Sequence, residues 1–300
     1  MIPAVWYAPL PFWLWEVALH SLIMGAIFYA WAHRVRLPSG RTKRRLLVVL
    51  LILPIVTASV PGRAAIEFRE RLAWLNSGRI LALPLGAGLH VYHLALLVGA
   101  LVLGFTVWQE VLPALRRPAT SADGIPDDLV TIARAQPGWS RCDVALNPSD
   151  EVMVATRNRP GRPRLIVSRG AIARLTAAEI AAVVAHEHAH WRSGRWAQAV
   201  FFLRLLQCGS PVAMWCFREY CLEVEVACDA EAVSGRDPAL LIRPLLRIYE
   251  STDRRDVAAR GALRKRVDVM LAGGPQDDAL PTATIVAAAV VMLMVLPWVV

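Results

Sequence analysis

The chain has 300 residues, of which 56% are apolar and only 19% are charged, and its formal net charge is +9. A soluble protein is nearer half apolar and a quarter charged, so the composition favours a membrane protein and excludes collagen, coiled coils and disordered chains. The five cysteines form no CxxC pair, which argues against a disulfide scaffold. Much of the positive charge lies in one loop between apolar runs, which indicates membrane topology, and we expect no direct binding of nucleic acid.

Four apolar runs are candidates for membrane-spanning helices, each of which needs about 20 residues. In chain order they are Phe12–Ala32, Leu46–Val60, Ile80–Trp108 and Thr282–Val300. The second run is the shortest and contains Pro54, although flanking arginines can reach the interface while the bilayer thins. We therefore predict a three-span membrane region over 1–114, a separate domain over 115–281 and a fourth transmembrane helix over 282–300.

The loops between these runs predict the orientation, because basic residues collect on the cytoplasmic side. His33–Arg45 carries six lysines and arginines and no acid, whereas Pro61–Arg79 carries four arginines and two glutamates. The first loop is therefore expected in the cytoplasm, and so is the domain over 115–281. The expected location is the cell membrane, with several spans and a cytoplasmic domain, so the lipid bilayer is an expected partner.

Two pairs of ionisable residues lie inside the predicted spans. Glu16 and His20 are four residues apart, so they share one helix face, and His90 and His93 lie in the third run. Ionisable residues inside a membrane are functional candidates. The alternative is that both pairs only hydrogen-bond between or within helices.

The domain over 115–281 begins with a mixture of helix and strand signals. Asp127–Ala135 predicts a short helix. Three short strands, separated by turn-rich segments, are predicted at Asp143–Leu146, Val152–Thr156 and Arg164–Ser168. Thr176 and Glu179 then form a capping box that starts a buried helix, which we expect to end at Gly194. The predicted fold class is a mainly α membrane protein with four transmembrane helices and a cytoplasmic α+β domain.

That buried helix contains the sequence His-Glu-His-Ala-His at 186–190. Positions i and i+4 lie on one helix face, so His186 and His190 can bind one metal ion. Zinc accepts neutral imidazole, and a catalytic site keeps one position open for water. Glu187 lies beside the ion and can take a proton from that water. The alternative is a core helix whose histidines are satisfied by ordinary hydrogen bonds.

A third metal ligand is expected downstream, on the predicted helix that contains Glu223, Glu225 and Asp229. Glu225 and Asp229 are four residues apart on one face. One of them can bind the ion while the other orients a histidine. Spacing alone does not choose between Glu223 and Glu225.

The HEHAH helix followed by an E-x-x-x-D helix resembles the gluzincin membrane peptidases. Two types share this pair: the BlaR/MecR antirepressor peptidases of β-lactam-induced signalling, and the HtpX and Ste24 type. In both, the glutamate of E-x-x-x-D is the third zinc ligand, which corresponds to Glu225, and the aspartate, Asp229, supports a ligand. The resemblance implies a zinc-dependent endopeptidase that uses Zn²⁺, with His186 and His190 as ligands and Glu187 as the catalytic residue.

Further segments resemble the BlaR/MecR type. Ala227-Cys228-Asp229 matches its ACD signature, Arg164–Ala173 resembles the edge strand before its zinc helix, and Leu263–Leu271 resembles the segment before its last span. The resemblance implies cleavage of a cytoplasmic protein, such as a transcriptional repressor, in signal transduction. The sensor members carry an external penicillin-binding domain after the fourth span. Because this chain ends at Val300, we expect no β-lactam sensing by that route.

The peptide substrate is expected to add as a strand to the edge formed by Arg164, Leu165, Ile166, Val167 and Ser168. Arg243, Arg247 and Tyr249 are weak candidates for stabilising an oxyanion.

The apolar segment Trp196–Phe217, between the two metal-binding helices, is interrupted by Arg204, Gln207 and Gly209-Ser210-Pro211. We expect it to lie against or dip into the membrane, and a buried core helix is the alternative.

Two other functions stay open. One is an HtpX/Ste24-like quality-control protease, which would cross the membrane between the metal-binding helices. The other is a non-catalytic membrane signalling protein.

Overall fold

The computed structural model describes residues 17–18, 20–29, 39–59, 83–112, 120–121, 124–159, 162–207, 210–251 and 257–275. These residues are mostly helical and divide into two compact units. The first unit comprises the described residues of Met1–Arg116 and Ala199–Tyr220, and the second those of Arg117–Gln198 and Cys221–Gln276. The predicted boundaries at 114 and 281 lie outside the described residues and stay predictions.

The described residues in the N-terminal part of the first unit form three α-helices and a small hairpin. Helix α1 is described over His20–Tyr29 and helix α2 spans Arg41–Ser59. Strands β1 (Pro84–Gly86) and β2 (Leu89–His90) pair antiparallel and lead directly into α3 (Val91–Thr106). A π-helical turn follows at Val107–Val111.

Among the described residues, one helix is both long and apolar enough to cross a membrane, the segment Val91–Gln109. Almost none of this segment is buried within the protein, and the side chains of Leu101 and Phe105 are 63% and 60% exposed. The third predicted span is therefore only partly right. Its first residues form the hairpin instead of helix, because the turn at 86–88 requires positive φ at Gly86, Ala87 and Gly88.

The other predicted spans fare differently. The second run lies inside α2, but α2 opens with basic residues at Arg41, Lys43, Arg44 and Arg45, so its length and composition do not indicate a full crossing. The fourth run, Thr282–Val300, lies outside the described residues. So do Glu16 and the loop at 61–79 on which the orientation depends. Four transmembrane helices therefore stay a prediction.

The segment Ala199–Tyr220 packs against α1 and α2 within the first unit. Gly25 of α1 lies against Val212 so closely that a Cβ on Gly25 would come 1.8 Å from Val212 Cγ1. Ser21 and Ser210 share a 2.8 Å hydrogen bond between their hydroxyls, and Gln207 donates to the Leu51 carbonyl at 2.8 Å. At these contacts the helices pack closely through small side chains and are joined by hydrogen bonds between polar ones, as is common in helical membrane bundles.

The second unit contains a three-stranded sheet and six helices or helix portions among its described residues. The strands are β3 (Asp143–Asn147), β4 (Val154–Arg159) and β5 (Arg162–Ser168). The helices are α4 (Asp127–Arg134), α5 (Arg169–Arg174), α6 (Ala177–Leu206), α7 (Pro211–Val233), α8 (Ala239–Ser251) and α9 (Val257–Leu271). The boundary between the units falls within α6, after Gln198, and within α7, after Tyr220.

Helix α6 starts with the predicted capping box. The N–H of Glu179 donates to Thr176 Oγ1 at 3.3 Å, and the Glu179 carboxylate accepts the N–H of Thr176 at 2.9 Å. The prediction that the helix ends at Gly194 is wrong, since α6 continues to Leu206. A glycine inside a helix costs only about 1 kcal/mol, and the helix continues through the apolar run beyond it.

The sheet order is β3-β5-β4, with β5 parallel to β3 and antiparallel to β4. Strand β5 is therefore central, and its backbone is paired on both sides. The prediction that Arg164, Leu165, Ile166, Val167 and Ser168 form the substrate-binding edge is wrong for this reason. The outer strands are therefore β3, which Ser121 meets in an isolated bridge at Leu146, and β4, whose outer edge has no strand partner among the described residues.

The first half of α6 is packed on two sides. Ile180 and Val184, one turn apart, join Leu165 and Val167 of β5 in one core cluster. On another face, residues Ala182, Val183 and Ala185 pack against α7, α8 and α9. Two-sided packing fixes the rotation of α6 about its own axis, and with it the direction of the side chains at 186–190.

Candidate metal centre

Three predicted ligands converge in the second unit. His186 and His190 lie one turn apart on α6, and Glu225 lies on α7; one ligand atom of each falls within 4.8 Å of the others. The two Nε2 atoms are 3.0 Å apart. Glu225 Oε1 is 3.1 Å from His190 Nε2, and Oε2 is 3.5 Å from His186 Nε2. Two nitrogens bound at about 2.0 Å to one tetrahedral ion lie about 3.3 Å apart, so the donor set fits zinc.

The structure distinguishes the two glutamates that spacing leaves open. Glu223 accepts a 2.7 Å hydrogen bond from Lys265 Nζ and is buried there. Glu225, two residues further along α7, instead reaches the two histidines. This placement follows from helix geometry, since residues two apart point in different directions.

Asp229 lies one turn beyond Glu225 and is fully buried. Its Oδ1 is 2.9 Å from Nδ1 of His186, although the N–H is not aimed straight at the oxygen. A carboxylate at Nδ1 favours the tautomer whose Nε2 lone pair is free for a metal. Asp229 thus occupies the supporting position predicted for it.

The electrostatics of this cluster favour a cation. Burial lowers the pKa of His186, but the carboxylates of Asp229 and Glu225 outweigh burial and raise it overall. Burial likewise raises the pKa of Glu225, yet its hydrogen bonds to His186 and His190 and the charge of Arg266 hold that pKa well below its ordinary value. A field that favours a proton on imidazole also favours a metal ion in its place.

Glu187 is adjacent to the ligands in sequence and is held by the sheet. Its Oε2 accepts a 2.8 Å hydrogen bond from the backbone N–H of Thr156 in β4. Burial raises its pKa, against the opposing influence of His186 and His190. A carboxylate with a raised pKa is suited to accept and then donate a proton near neutral pH.

The middle histidine of the motif is turned elsewhere. His188 Nε2 lies 2.8 Å from the Pro137 carbonyl, and the ring packs against both Trp139 and Trp191, with centroids at 5.3 and 6.0 Å. His188 is therefore a structural residue that ties α6 to the segment after α4.

Other sequence candidates lie apart from these ligands. Arg247 contacts the Arg174 carbonyl and Glu179, at the start of α6. His93 Nδ1 accepts the backbone N–H of His90 at 3.0 Å, at the start of α3, and His20 Nδ1 is 2.8 Å from Thr57 Oγ1. These hydrogen bonds, within or between helices, agree with the alternative that His20, His90 and His93 have no catalytic role.

Two residues that sequence reasoning missed contact the site. Arg266 of α9 binds both Asp229 and Glu225, and Thr156 binds Glu187. Arg266 is one of several basic residues in its helix, so the sequence gives no signal of such a role. A backbone donor has no sequence signal at all.

No protein-family model matches the sequence. No curated protein matches it either. Among solved structures, the crystal structure of S. mikatae Ste24p is similar, with a TM-score of 0.37 and 13% identity, over 75% of this chain and 65% of that chain. The chain thus spans less than two thirds of that protein's length. At this TM-score the likeness does not identify a shared fold, so the chemistry of the site rests on its own geometry.

Proposed function

We propose that the protein is an integral membrane zinc-dependent endopeptidase that hydrolyses a cytoplasmic protein. The observation that carries the proposal is the convergence of His186, His190 and Glu225, with Glu187 beside them. Neither a solvated acidic face nor a set of satisfied core histidines explains two Nε2 atoms turned toward each other and toward one carboxylate.

His186, His190 and Glu225 would hold the ion, leaving one tetrahedral position open. Bound there, zinc would supply Lewis acidity toward a water molecule and the scissile carbonyl. Oε2 of Glu187 is engaged by Thr156, so Oε1 is the atom that accepts the proton of the attacking water. The same carboxyl group then delivers that proton to the leaving amine, a transfer suited to its raised pKa.

The open edge of β4 is the best candidate for peptide binding. The N–H of Thr156 points to Glu187 and away from β5. Along an antiparallel strand, the backbone groups of successive residues point alternately to either side, so those of Thr156 point toward the free edge of β4. A peptide that adds to this edge lies beside Glu187. This role replaces the one predicted for Arg164–Ser168.

The membrane location is supported by the exposed apolar helix Val91–Gln109. The cytoplasmic placement of the site, and a transcriptional repressor as substrate, come from the loop charges and from the resemblance to the BlaR/MecR type. They are part of the proposal.

One observation favours the HtpX/Ste24-like alternative, a quality-control protease. Ala199–Tyr220, which comprises the end of α6 and the start of α7, packs with α1 and α2, as expected if it enters the membrane. Reporter fusions at Gly209 and Ala232 separate the two functions. Reporters on the same side of the membrane favour the antirepressor type, and reporters on opposite sides favour the alternative.

The deciding experiment compares the wild type with Glu187→Gln in native membranes. We expect the variant to keep bound zinc but to lose proteolysis, and a comparison of the two proteomes identifies the substrate as the protein that accumulates uncleaved. Glu151→Gln, the same change at an exposed carboxyl, is the matched control. Unchanged proteolysis in Glu187→Gln contradicts the proposal, and a wild type that binds no zinc supports a non-catalytic signalling protein.

A further inference from the structure

Helix α9 makes the most extensive polar contact with the metal centre. Arg266 donates to Asp229 through two nitrogens, Nε to Oδ2 at 2.7 Å and Nη2 to Oδ1 at 2.8 Å. Its third nitrogen, Nη1, lies 2.9 Å from Oε2 of Glu225. One guanidinium therefore holds two carboxylates that lie one turn apart on α7.

Each carboxylate that Arg266 holds has a separate task at the site. Glu225 is a ligand, and its other oxygen faces His190 at 3.1 Å. Asp229 lies 2.9 Å from His186. The orientation of one ligand and the support of another thus depend on the same side chain.

The charge balance makes this contact necessary. Glu225 and Asp229 are like charges at i and i+4, which repel each other, and Asp229 is fully buried. Removing one partner from a buried ion pair leaves an uncompensated charge, which is strongly destabilising. Arg266 compensates both carboxylates.

Lys265, the preceding residue, makes an independent contact with the same helix. Its Nζ lies 2.7 Å from Oε1 of the buried Glu223. Lys265 thus also holds α9 against α7, but it touches neither metal-site carboxylate. The chain therefore supplies an internal comparison between docking α9 and shaping the site.

We propose that Arg266 is a positioning residue of the metal centre, whose planar fork fixes Glu225 relative to Asp229, so that α9 is part of that centre. This inference rests on the metal binding in the proposed function. Geometry, and not charge alone, is the operative property. A lysine carries the same charge, but its single ammonium nitrogen cannot offer two parallel donors to Asp229 and a separate donor to Glu225.

The test uses full-length protein in detergent, in the Glu187→Gln background to prevent self-cleavage. Zinc affinity is measured by competition with a chromophoric chelator, and ligand geometry by the visible spectrum of the Co²⁺-loaded protein. The variants are Arg266→Lys and Arg266→Gln. The controls are Lys265→Gln and Arg264→Gln, the latter at an exposed position of α9 paired with Asp268.

We expect both Arg266 variants to bind zinc about 10- to 100-fold more weakly, the usual effect of losing a group that supports a ligand. Arg266→Lys should also change the Co²⁺ spectrum. Arg264→Gln should match its parent, and Lys265→Gln should lower the melting temperature but not the zinc affinity.

The inference is overturned if Arg266→Lys binds zinc as its parent does with an unchanged Co²⁺ spectrum, or if Lys265→Gln weakens zinc as much as Arg266→Gln. Should Arg266→Gln fail to fold, Arg266→Lys decides alone. A parent protein that binds no zinc removes the proposed function itself. If the parent binds zinc and the Arg266 variants bind it equally well, only the proposed role of Arg266 is contradicted.

Discussion

The backbone N–H of Thr156 donates a 2.8 Å hydrogen bond to Oε2 of Glu187. A strand of the sheet thereby sets the orientation of the Glu187 carboxylate, and it leaves Oε1 for the proton transfer that we propose. Because the donor is a main-chain group, no substitution at 156 except proline removes it.

Thr156→Pro removes this N–H, and proline is tolerated on the edge of a sheet. We expect kcat to fall about tenfold or more, because the base loses its fixed orientation, while zinc content stays at one ion per chain. Metal analysis and single-turnover cleavage of the identified substrate measure the two effects.

Thr156→Val is the comparison, because it keeps the backbone donor and the branched side chain and removes only a hydroxyl that is buried without a partner. This variant should retain most of the activity. Equal losses in the valine and proline variants would show that the backbone donor is not responsible.

The three histidines of the motif should separate into two classes. His190→Ala removes a ligand and should abolish zinc binding with little change in the melting temperature of the zinc-free protein. His188→Ala should keep zinc but destabilise the second unit by about 2–4 kcal/mol, because it leaves a cavity beside two tryptophans. Loss of zinc in a well-folded His188→Ala would contradict this assignment.

Glu179 makes the stability of the second unit depend on pH. Burial by itself raises its pKa, but hydrogen bonds from Thr176 and the charge of Arg247 outweigh burial, so the pKa in the folded state is below its ordinary value. The ionised carboxylate therefore stabilises the fold above the unfolded-state pKa of about 4.3, and this contribution is lost as the pH falls toward the folded-state pKa.

Glu179→Gln should accordingly destabilise the protein by about 1 kcal/mol at pH 7, and the difference from the wild type should shrink below pH 4. Urea unfolding in detergent across this pH range measures it. Glu231→Gln, at an exposed ion pair with Arg192, should stay within about 0.5 kcal/mol throughout. A constant difference for Glu179→Gln would contradict the pKa argument.

The crossing of α1 with the start of α7 depends on the absence of a side chain at Gly25. Gly25→Ala places a methyl group 1.8 Å from Val212 Cγ1, so we expect a loss of about 1–3 kcal/mol from overpacking. Val212→Ala in the same chain should restore part of it, since it removes both γ-methyl groups. Thermal unfolding in detergent measures both changes; additive losses would exclude this contact as the cause.

The sequence predicts the parts of the site that depend on local periodicity. The i, i+4 spacing of His186 and His190 and the capping box at Thr176 are properties of one helix, and the structure contains both. Glu225 and Asp229 share a face for the same reason, although choosing between Glu223 and Glu225 required the resemblance or the structure. Three strands were predicted, and their boundaries differ from the observed ones by at most three residues.

What the sequence could not predict depends on pairing between distant segments. Strand order is decided by which edges meet, so the edge position that the resemblance implied for Arg164–Ser168 is wrong, because β3 and β4 cover β5 on both sides. Arg266 meets Asp229 across 37 positions of sequence, and no periodicity spans that distance. The hairpin at 84–90 was missed because it lies inside a continuous uncharged run, although Pro84, Gly86 and Gly88 are residues typical of turns.

The proposed function places catalysis and substrate recognition on different secondary-structure elements. The histidines and the glutamate proposed to act on the peptide bond lie on α6, which core packing holds on two sides, whereas the strand proposed to receive the substrate has one side open. Under this proposal, side chains along β4 can change which sequences are cut without any change in the hydrolytic residues.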